Sequence, residues 1–238
     1  MPISGMTDKG QVRSMNQDNY AVLKNERRVV GVVCDGVGGS KAGEVASKVA
    51  VETFQQRFDE ISGRIDDVKW LEETIRLTNK NVNHLSETDE ACFGMGTTLT
   101  CFMVHGLKTL IGNVGDSRCY IVDKEGNLIQ ITNDHTLVND LVQNRGVDYK
   151  LAVAIVGKNV ISRAIGIAEE IEVDIFEVEE EYQYILACSD GLHGYVSDQQ
   201  IGEVLKGEGS AEEKCQQLID LANKAGGLDN ITVVVYQR

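Results

Sequence analysis

Four aspartates stand at the ends of the most apolar runs in this 238-residue chain. Asp35 follows Val32-Val33-Cys34 and precedes Gly36, and Asp116 follows Asn113-Val114-Gly115. Asp190 follows Ala187-Cys188-Ser189 and precedes Gly191, while Asp229-Asn230 leads into Ile231-Thr232-Val233-Val234-Val235. A carboxylate at the mouth of a buried strand is held rigidly yet reaches solvent. Several together form an all-oxygen site suited to hard divalent cations such as Mg²⁺ or Mn²⁺. The chemistry to expect is metal-assisted reaction at phosphate. A lone Asp-Gly is an ordinary turn. Here, however, two apolar-apolar-Cys runs each lead into one. Carboxylates brought within 4 Å repel by roughly 4 kcal/mol per pair at an effective dielectric of 20, so a cluster of them calls for a counterion. The spacing leaves open whether the four meet in space.

The elements that must position them come in blocks. Strands are expected around Tyr20–Lys24 and Arg28–Cys34, with a turn at Asn25-Glu26. Two helices follow. Ala46, Ala50, Phe54 and Phe58 recur every four residues in the first, and Val68, Leu71, Ile75, Thr78, Val82 and Leu85 keep a 3-4 spacing in the second. A second strand block runs through Thr97–Val104, Thr109–Val114, Arg118–Asp123 and Asn127–Ile131. Thr136–Arg145 reads as helix, and Gly146–Lys158 has the weakest pattern. Strands at Ile171–Val178 and Gln183–Cys188 precede helices at Asp198–Leu205 and Ala211–Ala225, the latter stopped by Gly226-Gly227. Val233–Tyr236 closes the chain as a strand. Blocks of this kind suit an antiparallel sheet core covered by helices on both faces, not an alternating βαβ fold.

Composition narrows the function classes. The formal net charge is −14, with no basic cluster to neutralise a phosphate backbone, which argues against nucleic acid or an anionic membrane as partner. An anionic substrate would then depend on bound cations and a few placed arginines. No apolar run is long enough to span a bilayer, so no membrane insertion is expected. The N-terminus lacks the basic and apolar regions of a signal peptide. Six cysteines at irregular spacing, with no C-x-x-C pair, read as buried thiols of a reducing cytoplasm. No proline- or glycine-rich linker divides residues 1–238, so a single domain is expected.

Eight motifs occur in order: Arg13-x-x-Asn16-Gln17-Asp18, Asp35-Gly36-x-Gly38-Gly39, Gly96-Thr97-Thr98, Gly115-Asp116-Ser117-Arg118, Asp134-His135-Thr136, Ser162-Arg163-Ala164-Ile165-Gly166, Ser189-Asp190-Gly191-Leu192 and Asp229-Asn230-Ile231-Thr232. From about residue 5 to the end they closely resemble the metal-dependent Ser/Thr protein phosphatases of the type 2C class, specifically the small stand-alone bacterial members. The resemblance implies an α+β fold: a four-layer αββα sandwich, two antiparallel β-sheets flanked by antiparallel helix pairs. It implies two core Mn²⁺ or Mg²⁺ ions and a weaker third. Asp35 matches the carboxylate that bridges the two core ions, and Gly36 the residue that lends one of them its carbonyl. Asp190 and Asp229 match further ligands of the first ion, and Asp116 holds the third together with Asp190. Arg13 matches the arginine that grips the substrate phosphate, where a planar guanidinium fork fits two oxygens. Asp18 matches a carboxylate that orients water at the metals.

The implied reaction is hydrolysis of phosphoserine and phosphothreonine by a water shared between the two ions. Phosphorylated proteins are the implied substrates, opposing a bacterial Ser/Thr kinase, and the enzyme is expected to be a cytoplasmic monomer. Two other readings stand beside this one. A catalytically silent phosphoprotein-binding domain on the same fold would have lost metal ligands, whereas every expected aspartate is present. A phosphatase of small phosphate esters would carry the same ligands. The chain departs from some relatives at Val37, where eukaryotic members have a histidine proposed to protonate the leaving group. His193 reads as an exposed or packing residue, His135 as a structural hydrogen-bonding one, and His84 and His105 as helix-surface and turn residues. Residues 137–159 correspond to the family's flap, a loop near the active site, but without its usual His-Pro pair.

Overall fold

Alternation within the strands fixes the layering. In the strand Arg28–Asp35, Val30, Val32 and Cys34 face one way and Val33 the other, and all four are fully buried. A strand buried on both faces has to lie inside a stack. The computed structural model describes residues 2–37, 42–158 and 160–238. Gly38 and Gly39 of the second motif, and Asn159 at the end of the flap, lie outside the described residues.

The described elements are β1 (Ile3–Asp8), β2 (Asp18–Lys24), β3 (Arg28–Asp35), α1 (Gly43–Asp59), α2 (Asp67–Thr88), β4 (Leu99–His105), β5 (Lys108–Val114), β6 (Arg118–Asp123) and β7 (Leu128–Gln130). There follow α3 (Leu137–Arg145), α4 (Tyr149–Val156), β8 (Asp174–Glu177), β9 (Tyr182–Cys188), α5 (Asp190–His193), α6 (Asp198–Lys206), α7 (Ala211–Lys224) and β10 (Ile231–Gln237). One sheet has the order β1-β10-β9-β6-β7 and the other β2-β3-β4-β5-β8, with every pairing antiparallel.

Three apolar layers hold these four structural layers together. Between the sheets lie Val33, Phe102, Ile111, Ile121, Ile185 and Val234. On the outer face of the second sheet, α1 and α2 bury Ala46, Ala50, Phe54, Leu71 and Ile75 against Val32 and Cys101. Trp70 anchors that layer edge-on to Phe54 and Phe58, with ring centroids 6.3 and 6.5 Å away. On the other side, α6 and α7 bury Ile201, Leu205, Leu218 and Ile219 against Leu186, Val233 and Val235. The expected αββα sandwich is the observed one. All six cysteines are buried and unpaired.

Three elements differ from expectation. β1 was not among the expected strands, because Ser4-Gly5-Met6-Thr7 carries little apolar alternation. It forms as an edge strand templated by β10, in the register Ile3↔Tyr236 to Asp8↔Ile231. The weakly patterned stretch contains α4, which Asp148 caps by accepting from the backbone N–H groups of Lys150 and Leu151. The flap therefore carries a second helix, α4, after the expected α3. On α2, Val68 and Leu85 are only partly buried, and Trp70, Thr74 and Asn79 complete the buried stripe.

Candidate active site

Antiparallel register gathers the candidate residues at one edge of the sandwich. Asp18 opens β2 and lies directly across from Asp35, which ends β3. Cys188 near the end of β9 pairs with both Val233 and Arg118. Asp190 just past β9, Asp229 just before β10 and Asp116 just before β6 therefore share that edge. Two glycines permit the close approach. A Cβ on Gly36 would stand 2.4 Å from the Gly43 carbonyl oxygen, and one on Gly191 would stand 1.9 Å from that of Asn230. The second contact seats the short α5 turn, and Asp190 with it, on the loop that carries Asp229.

The result is a cleft of about 420 Å³ lined by Arg13, Asp35, Gly36, Asp116, Asp190 and Asp229, with Gln17, Thr98 and Asn230 beside them. An adjoining hollow of about 580 Å³ shares Asp116 and Asp190 and is bordered by Arg118, Lys158 and His193. Six of the seven candidate residues meet in the first cleft. Asp18, the seventh, is buried beneath it.

The electrostatics are lopsided. Burial pushes the Asp35 carboxyl well above the usual carboxylate range, and the fields of Asp18, Asp190, Asp116 and Asp229 push it further. Burial raises Asp18 to about 7, opposed by hydrogen bonds from Thr232 and Ser189. Asp116 rises to about 7 through burial and the field of Asp190. Asp190 rises to about 6 through burial and the field of Asp229. Against them stands Arg13, whose Nη2 donates to Asp229 Oδ2 at 2.7 Å.

That imbalance is the test of whether a cation fits. Asp18 Oδ1 is buried with no hydrogen-bond donor, and its carboxyl lies within hydrogen-bonding reach of Asp35. A buried acceptor without a donor, among carboxylates that repel one another, is satisfied by a proton or by a metal ion. The donors are all oxygen, which matches Mg²⁺ and Mn²⁺. Among the described residues no three His, Cys, Asp or Glu side chains are already drawn into a closed coordination group. Ligation here would draw on the Gly36 carbonyl and on water as well.

Residues 5–231 match the family model described as Protein phosphatase 2C. The chain belongs to that family. It is 36% identical over 237 residues to the serine/threonine phosphatase stp of Listeria monocytogenes serotype 4b, covering 98% of this chain and 94% of that protein. Its fold is similar to that of the serine/threonine phosphatase Stp1 from Staphylococcus aureus, with a TM-score of 0.91, 34% identity, and 99% and 94% of the two chains covered. The catalytic domain of the serine/threonine protein phosphatase PstP, solved with two manganese ions, matches with a TM-score of 0.83 and 34% identity over 99% of this chain and 96% of its own.

Within this 2C phosphatase fold, His193 is a packing residue. Its Nε2–H donates to the Asp116 carbonyl oxygen at 3.0 Å, and burial next to Arg118 lowers its pKa to about 4. His135 is the expected structural histidine: Nδ1 accepts from the Gly115 N–H at 3.1 Å and Nε2 faces Asp174 at 3.1 Å. His105 is more than a turn residue, because its Nδ1 lies 2.7 Å from Asp67.

Two residues that hold the site were quoted in motifs without a role. Ser189 donates from Oγ to Asp18 Oδ2 at 2.7 Å and accepts from the Thr232 N–H at 2.9 Å, tying Asp18 to β9 and β10. Asn230 clamps the loop that carries Arg13. Its Nδ2 donates to the carbonyls of Lys9 and Met15, both at 2.9 Å, and its Oδ1 accepts from the Gln17 N–H at 2.9 Å. The adjacency Ser189-Asp190 and Asp229-Asn230 was the only available signal. Partners more than 170 positions away cannot be read from one sequence.

Proposed function

We propose that this 2C phosphatase hydrolyses phosphoserine and phosphothreonine esters in proteins, using Mn²⁺ or Mg²⁺ held by Asp35, the Gly36 carbonyl, Asp190 and Asp229. The observation that carries this reading is the convergence of four aspartates with Arg13 on one polar cleft, with Asp18 buried beneath them. Asp35, in the field of the other four carboxylates, would be the ligand shared between the core ions. Asp116 and Asp190, shared with the adjoining hollow, would hold a weaker third. When bound, divalent cations neutralise charge on the phosphoryl group and lower the pKa of water in the site.

The chain's own residues do the rest. Arg13 has committed Nη2 to Asp229, which leaves the remaining N–H groups of its fork for two phosphate oxygens. That contact fixes the phosphorus above the carboxylates. Asp18, held by Ser189 beneath the cleft, helps orient water there. Val37 stands where eukaryotic members carry a histidine and offers no side-chain proton, so the leaving serine or threonine oxygen takes its proton from solvent in the open cleft.

We further assign residues 1–238 to one catalytic domain that acts as a cytoplasmic monomer against the products of a Ser/Thr kinase. No described helix is long and apolar enough to cross a membrane. The deciding experiment offers the protein a phosphothreonine peptide with millimolar Mn²⁺. Phosphate release that EDTA abolishes is the expected result. No release, or release indifferent to EDTA, overturns the proposal.

A further inference from the structure

Asp174 belongs to none of the eight sequence motifs. It begins β8, the edge strand of the second sheet, and lies directly across from Asn113, two residues before Gly115. Its carboxylate oxygens have different partners. Oδ2 lies 3.1 Å from His135 Nε2, and Oδ1 accepts from Arg163 Nη1 at 3.2 Å. Those partners stand just outside the two ends of the flap: His135 precedes α3, and Arg163 follows the stretch that returns from α4. The ends are joined to each other as well. The Leu137 N–H donates to the Val160 carbonyl and the Ser162 N–H to that of His135, both at 2.8 Å.

From that base the buried His135 reaches the site. It grips Gly115, the residue before Asp116, at both ends. The ring Nδ1 accepts from the Gly115 N–H at 3.1 Å, and the His135 N–H donates to the Gly115 carbonyl at 3.0 Å. That carbonyl, which also accepts from Asn113 Nδ2 at 3.3 Å, belongs to the peptide bond leading into Asp116. Gly115, at φ +110°, has no side chain to fix it, so these contacts set the direction in which Asp116 leaves the turn. The tautomer follows from the partners. A backbone N–H can only donate, so Nδ1 offers a lone pair and the ring proton sits on Nε2, facing Asp174. With the proton on Nδ1, two N–H groups would face each other across 3.1 Å. A carboxylate at Nε2 thus selects the form of the ring that can hold Gly115.

We infer that Asp174 is a positioning residue that acts through His135 on Gly115, fixing Asp116 for the third ion and tying the base of the flap to that ion's site. The inference rests on the proposed third-ion role of Asp116 and adds to it two residues that are not themselves ligands.

The test titrates Mn²⁺ alone into the full chain by calorimetry, with Asp116→Ala as the reference that removes the third site. The other variants are Asp174→Ala, His135→Gln and His135→Asn. An asparagine amide overlays the ring Nδ1 and keeps an acceptor for Gly115, whereas a glutamine amide overlays Nε2 and keeps only the contact with Asp174. Asp174→Ala and His135→Gln are expected to weaken the weaker class of Mn²⁺ sites about tenfold and to leave the tighter class unchanged, while His135→Asn stays within about twofold of wild type. Nitrogen NMR of the His135 ring, without metal, should show the Nε2–H form in wild type and a mixture of the two forms in Asp174→Ala. Unchanged weak-site affinity in Asp174→Ala would overturn the relay and leave the third-ion reading standing. Equal losses in the two His135 variants would overturn it too, as would a ring that keeps its tautomer without Asp174. A weak class that is absent in wild type, or that survives Asp116→Ala, would instead sink the third-ion reading, and the relay with it.

Discussion

β3 carries a charged residue at each end, and the two ends treat charge in opposite ways. At its start, Arg28 is buried with its Nε 2.8 Å from Asp67 Oδ1, while His105 lies 2.7 Å from the other Asp67 oxygen. Burial alone would raise the Asp67 carboxyl, but the hydrogen bonds from His105 and Arg28 outweigh it and hold the carboxyl below its ordinary value. At the far end, burial raises Asp35 and four more carboxylates raise it further. One strand thus ends in a compensated charge and in an uncompensated one. The first kind fastens α2 to the sheet. The second kind stores an affinity for cations, which is what a metal-dependent phosphatase requires and what folding alone would disfavour.

The contrast is broken most severely at the cleft. Asp190→Ala is expected to lower kcat on the order of 10³-fold or more while leaving far-UV circular dichroism unchanged. His193→Ala, which removes a hydrogen bond to the Asp116 carbonyl but no carboxylate, should cost about tenfold or less by the same assay; equal losses would refute the separation of roles. At the compensated end the damage moves from turnover to stability. Asp67→Ala leaves Arg28 buried without its carboxylate and should lower the urea unfolding free energy by about 3 kcal/mol. A loss of well under 1 kcal/mol would show that the pair does not fasten α2.

A smaller effect sharpens the account of Arg13. Asn230→Ala releases the loop that carries it and should lower kcat/KM about tenfold. The loss should largely vanish in an Arg13→Ala background, with Mn²⁺ affinity by calorimetry unchanged. Asn230→Asp should not rescue, since it keeps the acceptor for Gln17 but loses both donors. Fully additive losses would show that Asn230 acts through something other than Arg13.

The smallest effect is a pH dependence at Asp67. Its depressed carboxyl contributes stability that is complete above the unfolded value of about 3.9 and is lost as pH falls through the lower folded value. Asp67→Asn has no such titration. The stability gap between wild type and Asp67→Asn, measured by urea unfolding, should therefore narrow below about pH 4. A constant gap would show that the carboxyl is not depressed.

Much of the site was legible because its residues sit at boundaries between strong local patterns. Asp35, Asp116, Asp190 and Asp229 each interrupt a strand-like run, and the motifs containing Arg13 and Asp18 keep their order along the chain. The helix pairs were legible from the four-residue spacing of Ala46, Ala50, Phe54 and Phe58 and from the 3-4 spacing of Val68, Leu71, Ile75, Thr78, Val82 and Leu85. What stayed hidden depends on partners remote in sequence. β1 is a strand only because β10 pairs with it. Ser189 reaches Asp18 across 171 positions, and Asn230 reaches Lys9 across 221.

The sequence by itself determined most of the strands and the oxygen-rich chemistry at their ends, because side-chain polarity and two-residue alternation are local properties. Only the tertiary structure decided which charges would be neutralised. Asp67 and Asp35 are the same residue type, and neither local sequence names the groups that would face it. The packing gives Asp67 an arginine and a histidine and gives Asp35 other carboxylates. Electrostatic energy depends on distances through space, and those distances exist only once the sheets have stacked.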